Sequence, residues 1–186
     1  AFVAFSPDIR SVDSFFAYEG SHSDGPFGRP LNYRRDNITA NFTRRLDEHR
    51  SFAIKMNGGR NDYDSSGQIP LHEVSAGRLS AFGFLDPGDG GRTRNGTLAG
   101  YYRHELGGGA VWKVDAFLAR SLLDMYSNFT FFLNDPVNGD GIQQHDSRLQ
   151  QGVNAQYSRP HRVLGRISLL TAGGNFHANQ VNVGLF

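Results

Sequence analysis

The segment Val111–Leu118, VWKVDAFL, decides the fold. Trp112, Val114, Ala116 and Leu118 fall on one side of an extended chain, and Lys113 and Asp115 on the other. That alternation is the period of a half-buried β-strand and does not suit a helix. The same period recurs outward from this segment. In Ser51–Asn57, SFAIKMN, Phe52, Ile54 and Met56 oppose Ala53, Lys55 and Asn57. In Ile38–Arg45, Ile38, Ala40 and Phe42 oppose Thr39, Asn41 and Thr43. Val12–Gly20, Leu98–Leu106 and Leu149–Tyr157 alternate in the same way. About eight strands are expected.

The connections between these segments alternate in length. Leu46–Arg50 and Gly107–Gly109 are short, whereas Asp24–Asp36, Asp62–Thr93 and Asn134–Ser147 are long. A strict short–long order puts all the long loops at one end of the sheet, the pattern of an outer-membrane barrel with short periplasmic turns. His104 and Arg44 interrupt the apolar faces. Each lies near a short turn, where charge at a membrane edge costs only about 0–1 kcal/mol. Trp112, Phe52 and Tyr102 lie at the same level, as an aromatic girdle would. In a water-soluble β-sandwich the polar faces would be solvated; in a barrel they line the lumen.

Composition agrees with strands and turns. The 186 residues include 23 Gly, 15 Phe and 7 Tyr, a mix poor for helices. Hydrophobic residues make up 38% and mean hydropathy is −0.46. No apolar run reaches the length of a transmembrane helix, which says nothing against barrel strands. The net charge of +1 offers no field for attracting nucleic acid. The absence of cysteine excludes disulfides, thiol catalysis and cysteine-ligated zinc.

The stretch Asp124–Gly141, DMYSNFTFFLNDPVNGDG, resembles part of the barrel of TonB-dependent receptors, the gated transporters of the Gram-negative outer membrane. There a strand continues past the membrane in a form like Tyr126–Thr130 and turns through a loop like Asp135–Asp140. AYEGSHSDGPF (Ala17–Phe27) is similar to an early strand entering an external loop. GQIPLHEVSAGRLSAFGFLDPGDGG (Gly67–Gly91) is similar to the next loop, and YSRPHRVLGR (Tyr157–Arg166) to a periplasmic turn. The resemblance runs from about Ser11 to Arg166. It implies an all-β fold, an antiparallel transmembrane barrel segment, with residues 1–186 as one partial barrel domain. The family's plug, its TonB-contacting box and most of its roughly twenty-two strands have no counterpart here, and Asn182–Phe186, NVGLF, does not read as a closing strand.

The resemblance implies transport of a bulky ligand, a ferric siderophore by default, energised from the inner membrane through the TonB complex and the plug of a parent protein. Lipopolysaccharide and outer-membrane lipid are the expected surroundings. No cofactor, metal, nucleic acid or catalytic role is expected. Two alternatives stay open: a complete small barrel with a structural or adhesive role, and a soluble carbohydrate-binding sandwich.

Candidate ligand contacts come from aromatic and arginine residues in the expected loops. Phe27, Arg29, Tyr33, Arg34 and Arg35 belong to the first loop; Arg78, Phe82 and Phe84 to the second; Tyr126, Phe129, Phe131 and Phe132 lead into the third. Arginine forks hold anionic oxygen and aromatics cover flat ligands. The same residues could instead pack loops together and meet lipopolysaccharide phosphate. A strand from Ala110 to Leu133 is expected, rising well beyond the membrane. Asp86, Asp89, Asp135 and Asp140, clustered with Gly, are oxygen ligands of the kind calcium takes, but they lack EF-hand spacing and turn chemistry accounts for them without an ion. Asn37, Asn41, Asn95 and Asn128 each open an Asn-X-Thr triplet, read as polar-face residues. His22, His72, His104 and His145 show neither zincin nor triad spacing.

Overall fold

The computed structural model describes Ala1–Phe186 as one antiparallel sheet. Eight strands follow in chain order: β1 (Phe2–Phe5), β2 (Asp13–Ser23), β3 (Tyr33–Arg45), β4 (Arg50–Asp64), β5 (Gly90–Glu105), β6 (Val111–Ser127), β7 (Ile142–Val163) and β8 (Arg166–Leu185). The only α-helix, α1 (Leu71–Ser75), lies in the β4–β5 connection. Each strand pairs with its chain neighbours, and β1 and β8 are both edges, so the sheet is open. A sandwich needs a second sheet packed on the first, and there is one sheet here.

The register turns the alternating pattern into two faces. Phe42, Ile54, Gly100, Ala116, Val153 and Phe176 lie in one row across β3–β8. Ala40, Met56, Leu98 and Leu118 form the row above. On the opposite face Thr43, Ala53, Tyr101, Asp115, Asn154 and Asn175 share a row, and Thr39, Asn57, Thr97 and Gln150 lie in another. The apolar face is uncovered: Leu98, Leu118 and Phe176 are 48%, 45% and 63% exposed. Only Ala40, Ala99 and Ala110 count as buried hydrophobic residues. A water-soluble domain of this length buries far more, because burial of apolar surface is its main source of stability.

The apolar band has a definite height. On β6 it spans Trp112 to Leu118 and is bounded above by Arg120, about nine residues counting that boundary, close to the ~9–11 that cross a bilayer. Extended at ~3.3 Å per residue and tilted by ~35–45°, that gives roughly 20–25 Å. Trp112 packs against Tyr157 at 5.1 Å, and Tyr102 lies beside His104 at 6.3 Å. These rings mark the short-turn edge of the band, where Arg44 and Arg50 also lie.

The connections alternate as the sequence implies, with different boundaries. The long ones cover residues 24–32, 65–89 and 128–141, because β3, β4, β5 and β7 extend further into them than the alternating segments indicate. The expected strand from Ala110 to Leu133 is corrected: β6 ends at Ser127 after 17 residues. Phe129–Leu133 lie in the third loop, where Phe131 takes a positive φ of 62° that no strand allows. The apolar run reads as strand, but Asn128 is tied to a neighbouring loop and turns the chain out of the sheet. At the other end the β7–β8 connection is a two-residue turn, with Leu164 and Gly165 at φ 49° and 77°. Positive φ at both positions matches the right-handed twist of a tight hairpin.

Candidate functional site

The three long loops sit at one end of the sheet and interlock. The first and second are joined by Phe27 and Phe82, edge-on at 6.1 Å, and by the Gly28 N–H donating to the Phe82 carbonyl at 2.7 Å. Arg29 lies 5.8 Å above the Phe84 ring, donates to the Pro87 carbonyl, and pairs with Asp64 at 3.5 Å. Asn32 donates to the same Asp64 carboxylate at 2.7 Å.

The second and third loops are joined through Asn128, the most buried large side chain at 2% exposure. Its backbone N–H donates to Asp89 at 2.7 Å, and its amide donates to Asp86 at 2.8 Å. Asp89 is itself buried, and desolvation pushes its carboxyl above the usual aspartate range; the Asn128 N–H opposes that shift. The third loop is folded around two carboxylates. Asp140 accepts from the Asn134 and Asp135 N–H groups and from Thr130. Asp135 accepts from the Val137 and Asn138 N–H groups at 2.9 Å.

Under the loops, at the outer ends of β4–β6, a cleft of about 330 Å³ opens. Asp62, Asp64, Asp89 and Arg92 line it with Tyr63 and Tyr126. Asp64 is already held by Arg29 and Asn32, and Asp89 by the Asn128 N–H, so Asp62 and Arg92 are the charges the cleft has left to offer a ligand.

The twelve candidate contacts therefore separate. Phe27, Arg29, Phe82 and Phe84 come together and hold two loops to each other. Arg78 stands apart beside α1, paired with Glu73 at 2.6 Å; that pairing holds the Glu73 carboxyl below the usual range. Tyr33 and Arg35 point to the polar face, where Arg35 meets Glu19 at 3.0 Å. Arg34, between them in the chain, points to the other face and meets Asp36 at 3.1 Å. Tyr126 reaches the cleft. Phe129 and Phe132 are about half exposed on the third loop, and Phe131 between them is less exposed. Sequence reasoning does not single out Asp62 and Asp64, and it reads Asp89 as a turn former and Asn128 as a polar-face residue, since Asp, Asn and Gly in a loop read first as turn formers.

No protein-family model matches the chain, and no curated protein matches it. Among solved structures the chain is similar to the ferric citrate transporter FecA in its unliganded form. The TM-score is 0.75 at 13% identity, over 100% of this chain and 26% of that one. The fold is that of a β-barrel wall. At this identity the likeness extends to the fold, and the chain spans about a quarter of the FecA chain.

Proposed function

We propose that the chain is a partial barrel domain, residues 1–186, of an outer-membrane TonB-dependent transporter. Its apolar face meets lipid, its polar face lines the lumen, and its interlocked loops form part of the external mouth. The observation that carries this reading is an uncovered apolar band of bilayer height beneath three long loops gathered at one end. The FecA-like fold supports it. The ligand in this reading is a bulky chelate such as a ferric siderophore, engaged by the half-exposed Phe129 and Phe132 and by Tyr126 at the cleft. The test is uptake of radiolabelled ferric citrate and of a ferric catecholate by Gram-negative cells carrying the full-length protein, with and without a working TonB complex. TonB-dependent uptake of either is the expected result. Uptake of neither, with the protein assembled in the outer membrane, removes the transport reading.

A second reading has its own observation. Arg29, Arg34, Arg35 and Arg78 are all paired with carboxylates of the same chain. Loops whose charges satisfy one another suit a structural or adhesive wall, and that role predicts normal assembly without ligand uptake.

A further inference from the structure

The polar face holds a region of uncharged hydrogen-bonding side chains that the transport reading does not use. Thr39, Asn57 and Thr97 share a row across β3–β5, and Asn37, Gly59 and Asn95 share the next row toward the long loops. Asn61 and Thr93 follow one same-face step higher. The charged side chains of this face stand around the region and are engaged there. Glu19 meets Arg35 at 3.0 Å, Asp146 meets Arg148 at 2.6 Å, and Lys55 lies 5.0 Å above the Tyr101 ring.

Gly59 makes a dip in the middle of this region. A Cβ at residue 59 would stand 2.5 Å from Asn37 Oδ1 and 3.0 Å from Asn95 Oδ1, so two amide oxygens converge over the glycine. The orientation of the Asn37 amide is fixed, because its nitrogen donates to Glu19 at 3.3 Å and its oxygen is the free end. No protein group donates to either oxygen. Two acceptors side by side call for donors from outside. An anion supplies none. A cation would meet no free carboxylate, since Glu19 is already held by Arg35 and Asn37. Two neighbouring hydroxyls supply both donors without bringing a charge. Thr97 and Thr39 on either side of Asn57 can each donate and accept, as hydroxyl recognition requires. Tyr63, two same-face steps above Gly59, adds an aromatic ring of the kind that covers the C–H face of a sugar.

We propose that this region is a subsite for an uncharged, polyhydroxylated ligand, two neighbouring hydroxyls donating to Asn37 Oδ1 and Asn95 Oδ1 over Gly59. Thr39, Asn57 and Thr97 take the hydroxyls that follow. The subsite narrows the transported ligand to one that presents a sugar-like surface to this wall, and it rests on the reading of the polar face as the lumen side.

The test is calorimetry on the full-length protein in amine-oxide micelles, which carry no sugar. Maltohexaose, cellohexaose and xylohexaose are the neutral probes, and hexagalacturonate is the anionic one. At least one neutral hexasaccharide should bind saturably, with affinity changing by less than about twofold between low and high salt, because no ion pair is formed. Hexagalacturonate should bind at least about tenfold more weakly, its carboxylates facing acceptors. Asn37→Leu with Asn95→Leu should weaken the neutral probe about tenfold, two hydrogen bonds being lost. Gly59→Ala keeps both amides and should weaken it as well, since the Cβ takes the dip. Asn175→Leu, on the same face of β8, should change nothing. Binding of no neutral hexasaccharide overturns the subsite, and so does wild-type affinity in both the double leucine variant and Gly59→Ala. A lowered melting temperature in those variants with affinity intact also overturns it, because the region then packs against another part of the protein. TonB-dependent uptake of a ferric chelate without hexasaccharide binding removes the subsite and leaves the transport reading. Labelling of a Val114→Cys variant by a water-soluble maleimide in proteoliposomes reverses the faces and removes both.

Discussion

At the residue scale, the third loop owes its shape to two carboxylates. Asp135 and Asp140 are both held below the ordinary aspartate value of 3.8, chiefly by backbone N–H donors, from Asn138 to the first and from Asp135 and Asn134 to the second. A lowered folded-state value contributes stability that is present above 3.8 and disappears as pH falls through the lowered values. A nitroxide at position 137, where Val137 is exposed, should therefore report one immobile loop from neutral pH down to about 4 and growing mobility below that. Asp140→Ala should show the mobile spectrum at neutral pH; an unchanged spectrum there means that other contacts shape the loop. Asn128 makes a parallel case. The hydrogen bond its side-chain amide donates to Asp86 joins two loops, so Asn128→Ala should cost about 1–3 kcal/mol of loop-opening free energy, read by hydrogen exchange at the backbone N–H of residue 128. These roles are hidden in the sequence. The Asp and Asn residues look like turn formers, and nothing local to residue 128 says that residues 86 and 89 will reach it.

At the element scale, strands are legible and their ends are not. Lys113 and Asp115 between Trp112, Val114 and Ala116 fix the faces of β6, because a period of two admits one assignment. The end of β6 is set by the contact of Asn128 with a separate loop, so Phe129, Phe131 and Phe132 read as a continuing strand. The loop end of the sheet is half legible for the same reason. Phe27 and Phe82 are aromatic loop residues on sight, but their contact exists only once β2–β5 have brought the two loops together. The β7–β8 turn yields a prediction at this scale. Leu164 is 98% exposed and sits at φ 49°, a conformation that costs a side chain with a Cβ roughly 1–2 kcal/mol. Asparagine tolerates it better. Leu164→Asn should raise the denaturant midpoint of the detergent-solubilised protein, whereas Gly165→Val, at φ 77°, should lower it. Equal midpoints in both variants would mean that the turn adds nothing to stability and that the strands alone set it.

At the scale of the whole molecule, the deciding fact is that a single sheet exposes both faces and both edges. Phe2 and Phe5 on β1 and Leu169, Val181 and Leu185 on β8 are more than half exposed, and each edge strand leaves one row of backbone groups unpaired. The apolar band between them is uncovered, with Leu98, Leu118, Val153 and Phe176 exposed together, which a soluble monomer rarely leaves to water. Lipid would satisfy that face, and further strands would satisfy the edges. Two consequences can be separated. Within an assembled barrel, Val114→Arg places a charge mid-band and should destabilise by roughly 2–4 kcal/mol, while Lys113→Arg on the polar face should be neutral. In isolation, residues 1–186 should aggregate in plain buffer and stay dispersed only in detergent. Sedimentation velocity with and without maltoside, followed by thermal melting of any monomer found, decides the second point. A monomer in plain buffer with a sharp, reversible transition would require the apolar face to be buried against something this single sheet does not contain, and the membrane-facing assignment of β3–β8 would then have to be abandoned.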